Sequence, residues 1–311
     1  MEDPHDTQKQ PRAWRGLRFL PLGLMLDALI LALILFLLGG MPRVAGWYVL
    51  QYVAPLLGVL CLLGSGIYVL VRRRADRVLG ATVGTAVLSL LPIALWFVPV
   101  AYPASLARTT PAATVRLPAD GPLQVAWGGD TPQTNYHVIT PDQRWAYDLF
   151  VEPYVSGSDR LEDYGCYGVP VVAPAAGLVS QAHDGEADET PGVISNNRTA
   201  PKGNYVVLQL PETGTYLLIA HLKQGSVAVQ TGDTVAEGQL IGQCGNSGNT
   251  SEPHIHIHHQ RQDPAVYPLN FAEGLPLYFR DHDGPAMPLG GFAIVGETAV
   301  ATGNLVRHVG R

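Results

Sequence analysis

The chain has 311 residues, room for about two structural units at roughly 150 residues each. Charged residues make up only 15% and hydrophobic residues 47%, whereas soluble proteins carry about 25% charged residues, so an ordinary fully soluble chain is excluded. The net charge is -6, and no basic patch interleaved with aromatics offsets it, which argues against a nucleic-acid partner.

The apolar excess sits in the first hundred residues. Three runs, Leu17–Gly40, Trp47–Val71 and Val78–Tyr102, are long enough for membrane-spanning helices, which need about 20 residues. Trp47, Tyr48 and Tyr102 lie near the ends, where aromatic rings favour the interface. Lys9, Arg12, Arg15 and Arg18 lead into the first run, and Arg72, Arg73, Arg74 and Arg77 separate the second from the third. Only Arg43 lies between the first two. The positive-inside rule then places the N-terminus in the cytoplasm, and three spans send all that follows to the other side. The first run is too long for a cleaved signal segment, and two more follow it. Asp27 inside the first run is read as a tolerated polar residue facing a neighbouring helix.

Residues 1–103 are thus expected to form a cytoplasmic tail and three transmembrane helices. Residues 104–122, rich in Pro, Ala and Thr, read as a linker. From Leu123 the pattern turns to short β-type runs broken by Gly, Pro, Asn and Asp. Strands are predicted at Gln124–Trp127, Ala146–Val151, Val169–Ala173, Gly177–Ala182, Tyr205–Leu210, Tyr216–Leu222, Ser226–Val229, Gln239–Cys244 and His254–His259. The expected fold is an all-β domain over 123–275, an antiparallel, small-barrel-like sheet. A C-terminal β extension over 276–311 follows, with strands at Leu277–Arg280 and Phe292–Val295. The polar stretch Glu186–Gly203 reads as a surface loop at the rim of a cleft. Cys166 and Cys244 fall in the β domain, where a disulfide is permitted outside the cytoplasm, and sequence leaves their pairing open. Cys61 reads as packing within an apolar run.

Ten histidines are present. His5, His282 and His308 read as exposed and unpartnered, and His183, beside Asp184 at a strand end, as a surface residue. The run Pro253-His254-Ile255-His256-Ile257-His258-His259 differs. Strand alternation sends 254, 256 and 258 to one face and both isoleucines to the other. Imidazoles on one face have no packing advantage and repel when protonated. A metal or catalytic role explains them, since neutral imidazole is the commonest metal ligand.

The residues leading in, Cys244-Gly-Asn-Ser-Gly-Asn-Thr-Ser-Glu-Pro253, together with Ala220-His221-Leu222, resemble the LytM/lysostaphin-type zinc endopeptidases, peptidase family M23. Gly203-Asn-Tyr-Val-Val207 and Gly232-Asp-Thr-Val235 are similar to that family's framework. The resemblance spans about Asn135 to Gln260. It implies Zn2+ held by His137, Asp148 and His256, with His221 and His254 free for acid–base work; that pattern has no ligand at His258, which reads as a residue supporting the site or lining the cleft. The family's His-x-x-x-Asp spacing is absent here, because Pro141 stands four residues after His137. Asp148, in an extended run, is favoured as the ligand over Asp142, which follows Pro141 in a turn. The implied activity is hydrolysis of peptidoglycan cross-links or stem peptides by a membrane-anchored metallopeptidase. The implied location is a bacterial cytoplasmic membrane, with the catalytic domain outside. A non-catalytic LytM-like regulator or wall-binding module on the same fold is the alternative. A carrier-type adaptor built on Val227–Gly242 ranks third, because neither Lys202 nor Lys223 sits at a hairpin tip.

Overall fold

The computed structural model describes residues 18–73, 75–154, 157–295 and 298–310. His5, Lys9, Arg12, Arg15, Leu17 and Arg74, which entered the reading of topology and of the histidines, lie outside the described residues. The chain divides into two compact units, Met1–Val98 and Pro99–Arg311.

The first unit is helical. Helix α1 spans Leu20–Leu38 and α2 spans Gly40–Tyr48. A π-helical turn at Val49–Val53 joins α2 to α3, Ala54–Arg72. Helix α4, Arg77–Ser89, is capped by Asp76 through the Leu79 amide at 2.8 Å and runs into 3-10 turns at Leu91–Trp96. Three helical stretches, Leu20–Leu38, Gly40–Arg72 and Arg77–Trp96, are long and apolar enough to cross a membrane. The second starts earlier than the hydropathy suggested, because Gly39 at φ 75° breaks the chain and helix resumes at once. Large apolar side chains such as Leu37 and Leu70 point outward, an arrangement that suits lipid and not water. Gly58 lets α3 approach α4 closely, since a Cβ there would meet Ser89 and the Ala86 carbonyl, the small-residue packing common between membrane helices. Asp27 is exposed on α1 and does not face a neighbouring helix.

The second unit is built on one antiparallel sheet. In chain order the strands are β1 Ala113–Val115, β2 Leu123–Trp127, β3 Tyr147–Phe150, β4 Pro170–Val172, β5 Gly177–His183, β6 Asn204–Gln209 and β7 Tyr216–Leu222. They continue as β8 Thr234–Val235, β9 Leu240–Gln243, β10 Ile255–Gln260, β11 Leu277–Phe279, β12 Phe292–Val295, β13 Thr298–Ala301 and β14 Leu305–Val306. Eight of them pair in the order β14-β2-β3-β10-β7-β6-β5-β8, which puts β10 near the middle. One face carries the core: Val125, Leu149, Val206, Leu208, Leu217, Ile219, Ile255 and Ile257 are fully buried. The pairs β4–β9 and β1–β11 add Val171, Ile241, Val115, Leu277 and Phe279 to it.

Two expectations change. The stretch read as linker is only partly one, because β1 pairs in parallel with β11 and Val115, Leu117 and Ala119 are buried in the core. Ser226–Val229 forms no strand. Its Val227 amide donates to the Asp184 carboxylate and its Ala228 amide to the Ile241 carbonyl, which hold it as an irregular crossing. Cys166 and Cys244 are joined in a disulfide, with their Cα atoms 5.7 Å apart.

Candidate metal centre and cleft

The face of β10 opposite the core is polar. His256 lies directly across from Asp148 on β3 and from Ala220 on β7. Opposed residues of this kind bring side chains within about 5 Å. His256 Nδ1 is 2.8 Å from Asp148 Oδ1. His137 arrives from outside the sheet, on a 3-10 turn at Tyr136–Ile139, and its Nε2 is 2.9 Å from Asp148 Oδ2. Asn135 sets that turn. Its Oδ1 accepts from the His137 amide, and its Nδ2 donates to the carbonyls of Gly129 and Ala146, tying the turn to the start of β3. The long gap between His137 and Asp148 is thereby closed in space.

His137, Asp148 and His256 are all buried, and one donor atom from each lies within 4.8 Å of the others. Two imidazole nitrogens and one carboxylate oxygen form the donor set of an open catalytic zinc site, with a fourth position left for water or substrate. The residues present therefore fit the ion. Burial would raise the Asp148 carboxyl, but the close approach of His137, His254 and His256 to its oxygens holds it well below the usual carboxylate range. It is an anion ready to bind a cation.

His221 and His254 flank this triad, with ring centroids 4.7 Å apart. His254 Nδ1 lies 2.7 Å from the Glu252 carbonyl, and His221 Nδ1 lies 2.8 Å from the Ser247 carbonyl. A carbonyl only accepts, so each Nδ1 carries the proton and each Nε2 is left with its lone pair. The free Nε2 of His254 is 3.6 Å from Asp148 Oδ1. Burial, and then the neighbouring His254 and His256, lower the His221 pKa well below its ordinary value, which keeps it neutral. His221 holds a left-handed backbone, φ 61°, rare for a residue with a side chain and typical of functional sites.

The Ser-Gly-Asn-Thr turn builds this wall. Ser247 Oγ accepts from the Asn204 amide and donates to the Leu222 carbonyl, while its own carbonyl takes His221. Gly248 at φ 88° and Gly203 at φ 58° meet backbone to backbone, and a Cβ on either would collide with the other strand of the turn. Asp142 is elsewhere. Its Oδ2 accepts from the Asn270 amide at 2.8 Å, its Oδ1 is buried with no hydrogen-bond partner among the described residues, and burial pushes its pKa up to about 6. His183 is exposed beside Glu186, 3.0 Å away. His282 and His308 are half-buried and bridge one another, so they are not the free surface residues the sequence suggested.

The cleft above the triad has a volume of about 710 Å³. Trp127, Tyr136, Phe150 and Phe292 line it, with Ile194 and Lys202 of the Glu186–Gly203 loop. Sequence reading missed Tyr136, whose hydroxyl is 3.4 Å from Asp148 Oδ2, although it adjoins His137 in Asn135-Tyr136-His137. It also missed Lys202, whose ammonium lies 3.9 Å over the Tyr205 ring and pairs with no carboxylate among the described residues.

The polar sheet face and the adjoining turn thus bring together three buried side chains able to hold a metal ion and two imidazoles beside them. Residues 162–268 match the model of peptidase family M23, and the chain carries an M23 peptidase domain. The matched segment contains His221, His254 and His256. His137 and Asp148 precede it and join it through the pairing of β3 with β10. A 66-residue stretch is 38% identical to the peptidoglycan DD-endopeptidase ShyA of Vibrio cholerae serotype O1, covering 21% of this chain and 15% of that protein. Among solved structures, the catalytic domain of the prophage-encoded M23 protein EnpA from Enterococcus faecalis is similar at 17% identity and a TM-score of 0.32, covering 51% of this chain and 94% of that one. A zinc-containing peptidase from Vibrio cholerae is similar at 20% identity and a TM-score of 0.31, covering 47% and 36%.

Proposed function

We propose that this chain is a membrane-anchored zinc metalloendopeptidase that hydrolyses peptides of peptidoglycan on the outer side of the cytoplasmic membrane. The observation that carries this reading is the convergence of His137, Asp148 and His256 beneath two imidazoles with free Nε2 lone pairs. His137 Nε2, an Asp148 oxygen and His256 Nδ1 would hold Zn2+, which supplies Lewis acidity to polarise a carbonyl and to lower the pKa of water.

The remaining work falls to the chain's own residues. The ring centroids of His221 and His254 are 4.7 Å apart, close enough for both rings to serve one proton transfer. One Nε2 accepts the proton of the attacking water. The same pair returns it to the leaving amine. The Ser247 and Glu252 carbonyls hold each ring in the tautomer this requires. Lys202 offers a half-buried cation to a carboxylate of the substrate, and the aromatic wall at Trp127, Tyr136 and Phe150 takes apolar surface.

The orientation rests on the arginines around 72–77 and on the Cys166–Cys244 disulfide, which needs an oxidising compartment. The test is incubation of the full chain in detergent with purified peptidoglycan fragments, with and without zinc. New amino termini should appear with the wild type and vanish with His254→Gln. Products that form equally fast with His254→Gln would point to a different centre. Partner-dependent wall cleavage that survives the substitution would favour a non-catalytic regulator.

A further inference from the structure

The polar face of β10 does not stop at the residues used above. Alternation continues it through His258 to Gln260, and both side chains are buried, 1% and 4% exposed. They form an ordered chain with His256. Gln260 Nε2 donates to the Gln262 carbonyl at 2.6 Å. That bond fixes the amide orientation, because the flipped amide would press two oxygens together. Gln260 Oε1 therefore faces His258 Nε2 at 3.0 Å. An amide oxygen only accepts, so His258 Nε2 carries the proton. When the His258 ring carries one proton, Nε2 is its place, and no carboxylate among the described residues pairs with the ring. Its Nδ1 is then an acceptor, 2.9 Å from His256 Nε2, and that nitrogen must be the donor.

We infer that His258 and Gln260 are positioning residues that lock His256 in the tautomer protonated on Nε2, so that its Nδ1 lone pair is presented to Asp148 and His137 as a metal ligand. The chain of donors has one direction. Reversing it would set His258 Nε2 and Gln260 Oε1 lone pair to lone pair in a buried site, a contact without compensation. In the direction set by Gln260 the unpaired contact falls instead between His256 Nδ1 and Asp148 Oδ1, 2.8 Å apart. A cation bound by both acceptors would satisfy that contact. The relay thus moves the unsatisfied contact to the place where an ion is to be bound. Metal-ligating histidines are commonly oriented by a partner on their other nitrogen, and loss of such a partner weakens metal affinity about 10–100-fold.

The inference rests on the zinc-site reading, and its test separates the two. The full chain in detergent is stripped of metal, and its zinc affinity is measured by chelator competition. Tautomers are read in parallel from nitrogen spectra of [15N]histidine-labelled protein. The wild type should show His256 protonated on Nε2 alone. His258→Phe, which keeps the ring and removes both nitrogens, should lower zinc affinity about 10–100-fold. His258→Asn restores an acceptor at the Nδ1 position and should recover most of that loss. Gln260→Leu should mix the His258 and His256 tautomers, and it stands in if His258→Phe does not fold. A wild type that binds no zinc overturns the site reading and the inference with it. A wild type that binds zinc, beside a His258→Phe protein of equal affinity, overturns the inference alone. So does equal loss in the Phe and Asn variants, or a wild-type His256 protonated on Nδ1.

Discussion

The two faces of β10 differ in almost every respect although they alternate residue by residue. Ile255 and Ile257 enter a face packed with Leu149, Ile219 and Leu217, where every atom is buried at no polar cost. His254, His256, His258 and Gln260 enter a face just as buried, where each polar atom needs a partner and the Asp148–His256 contact lacks a proton to share. One face supplies stability and the other stores an unsatisfied contact. Because the side-chain period is two, the isoleucines fix the register that aims the histidines. The core face is therefore part of the site's geometry although it touches no substrate.

The sharpest break of this comparison is on the polar face. His221→Ala and His254→Ala should each lower kcat by about 10²–10⁴-fold, the usual worth of positioned acid–base groups, with an unchanged melting temperature. A loss of stability of similar size would mean that these imidazoles pack and do not react. The converse substitution, Ile257→Ala, should cost about 2–5 kcal/mol in a denaturant titration, and the protein that stays folded should still bind zinc.

A third, smaller effect separates Asp142 from Asp148. Burial raises the folded-state pKa of Asp142 to about 6, above the ordinary carboxylate value near 4. A raised pKa means that stability is fullest below pH about 4 and falls as the pH rises to about 6. The span is about two pKa units, worth about 3 kcal/mol at most. Asp142→Asn should flatten that fall and stabilise the protein at pH 7, as followed by melting temperature against pH. A wild-type curve that rises across this window would refute the assignment. The smallest effect is expected at Lys202. Lys202→Gln should raise KM about tenfold for carboxylate-bearing peptides and leave kcat near the wild type, as for lost uniform binding.

The features written locally in the sequence were legible. Apolar run length gave the three helical stretches, and period-two alternation gave β10 with its histidines on one face. Two residues further, the same alternation places Gln260 on the polar face, although an amide there carries no signal of its own in the sequence. Other features depend on non-local pairing that no local pattern carries. β1 hides in a Pro- and Ala-rich stretch and becomes a strand only by pairing with β11, at the far end of the domain. Asp148 reaches His137 because Asn135 bonds both ends of the intervening loop, an arrangement that spacing alone leaves open against Asp142. The Glu186–Gly203 loop reads as surface at the rim of a cleft, and which of its residues line the cleft, Ile194 and Lys202, depends on Gly203 and Gly248 meeting at the Ser247 turn.

Zinc content tests the central claim most directly. The full chain, purified with zinc in the buffer and then dialysed, should retain about one ion per chain, as an open three-ligand site does. Asp148→Ala should retain none, while Asp142→Ala should retain as much as the wild type. A wild type without zinc, or an Asp142→Ala protein that loses the ion while Asp148→Ala keeps it, would contradict the account.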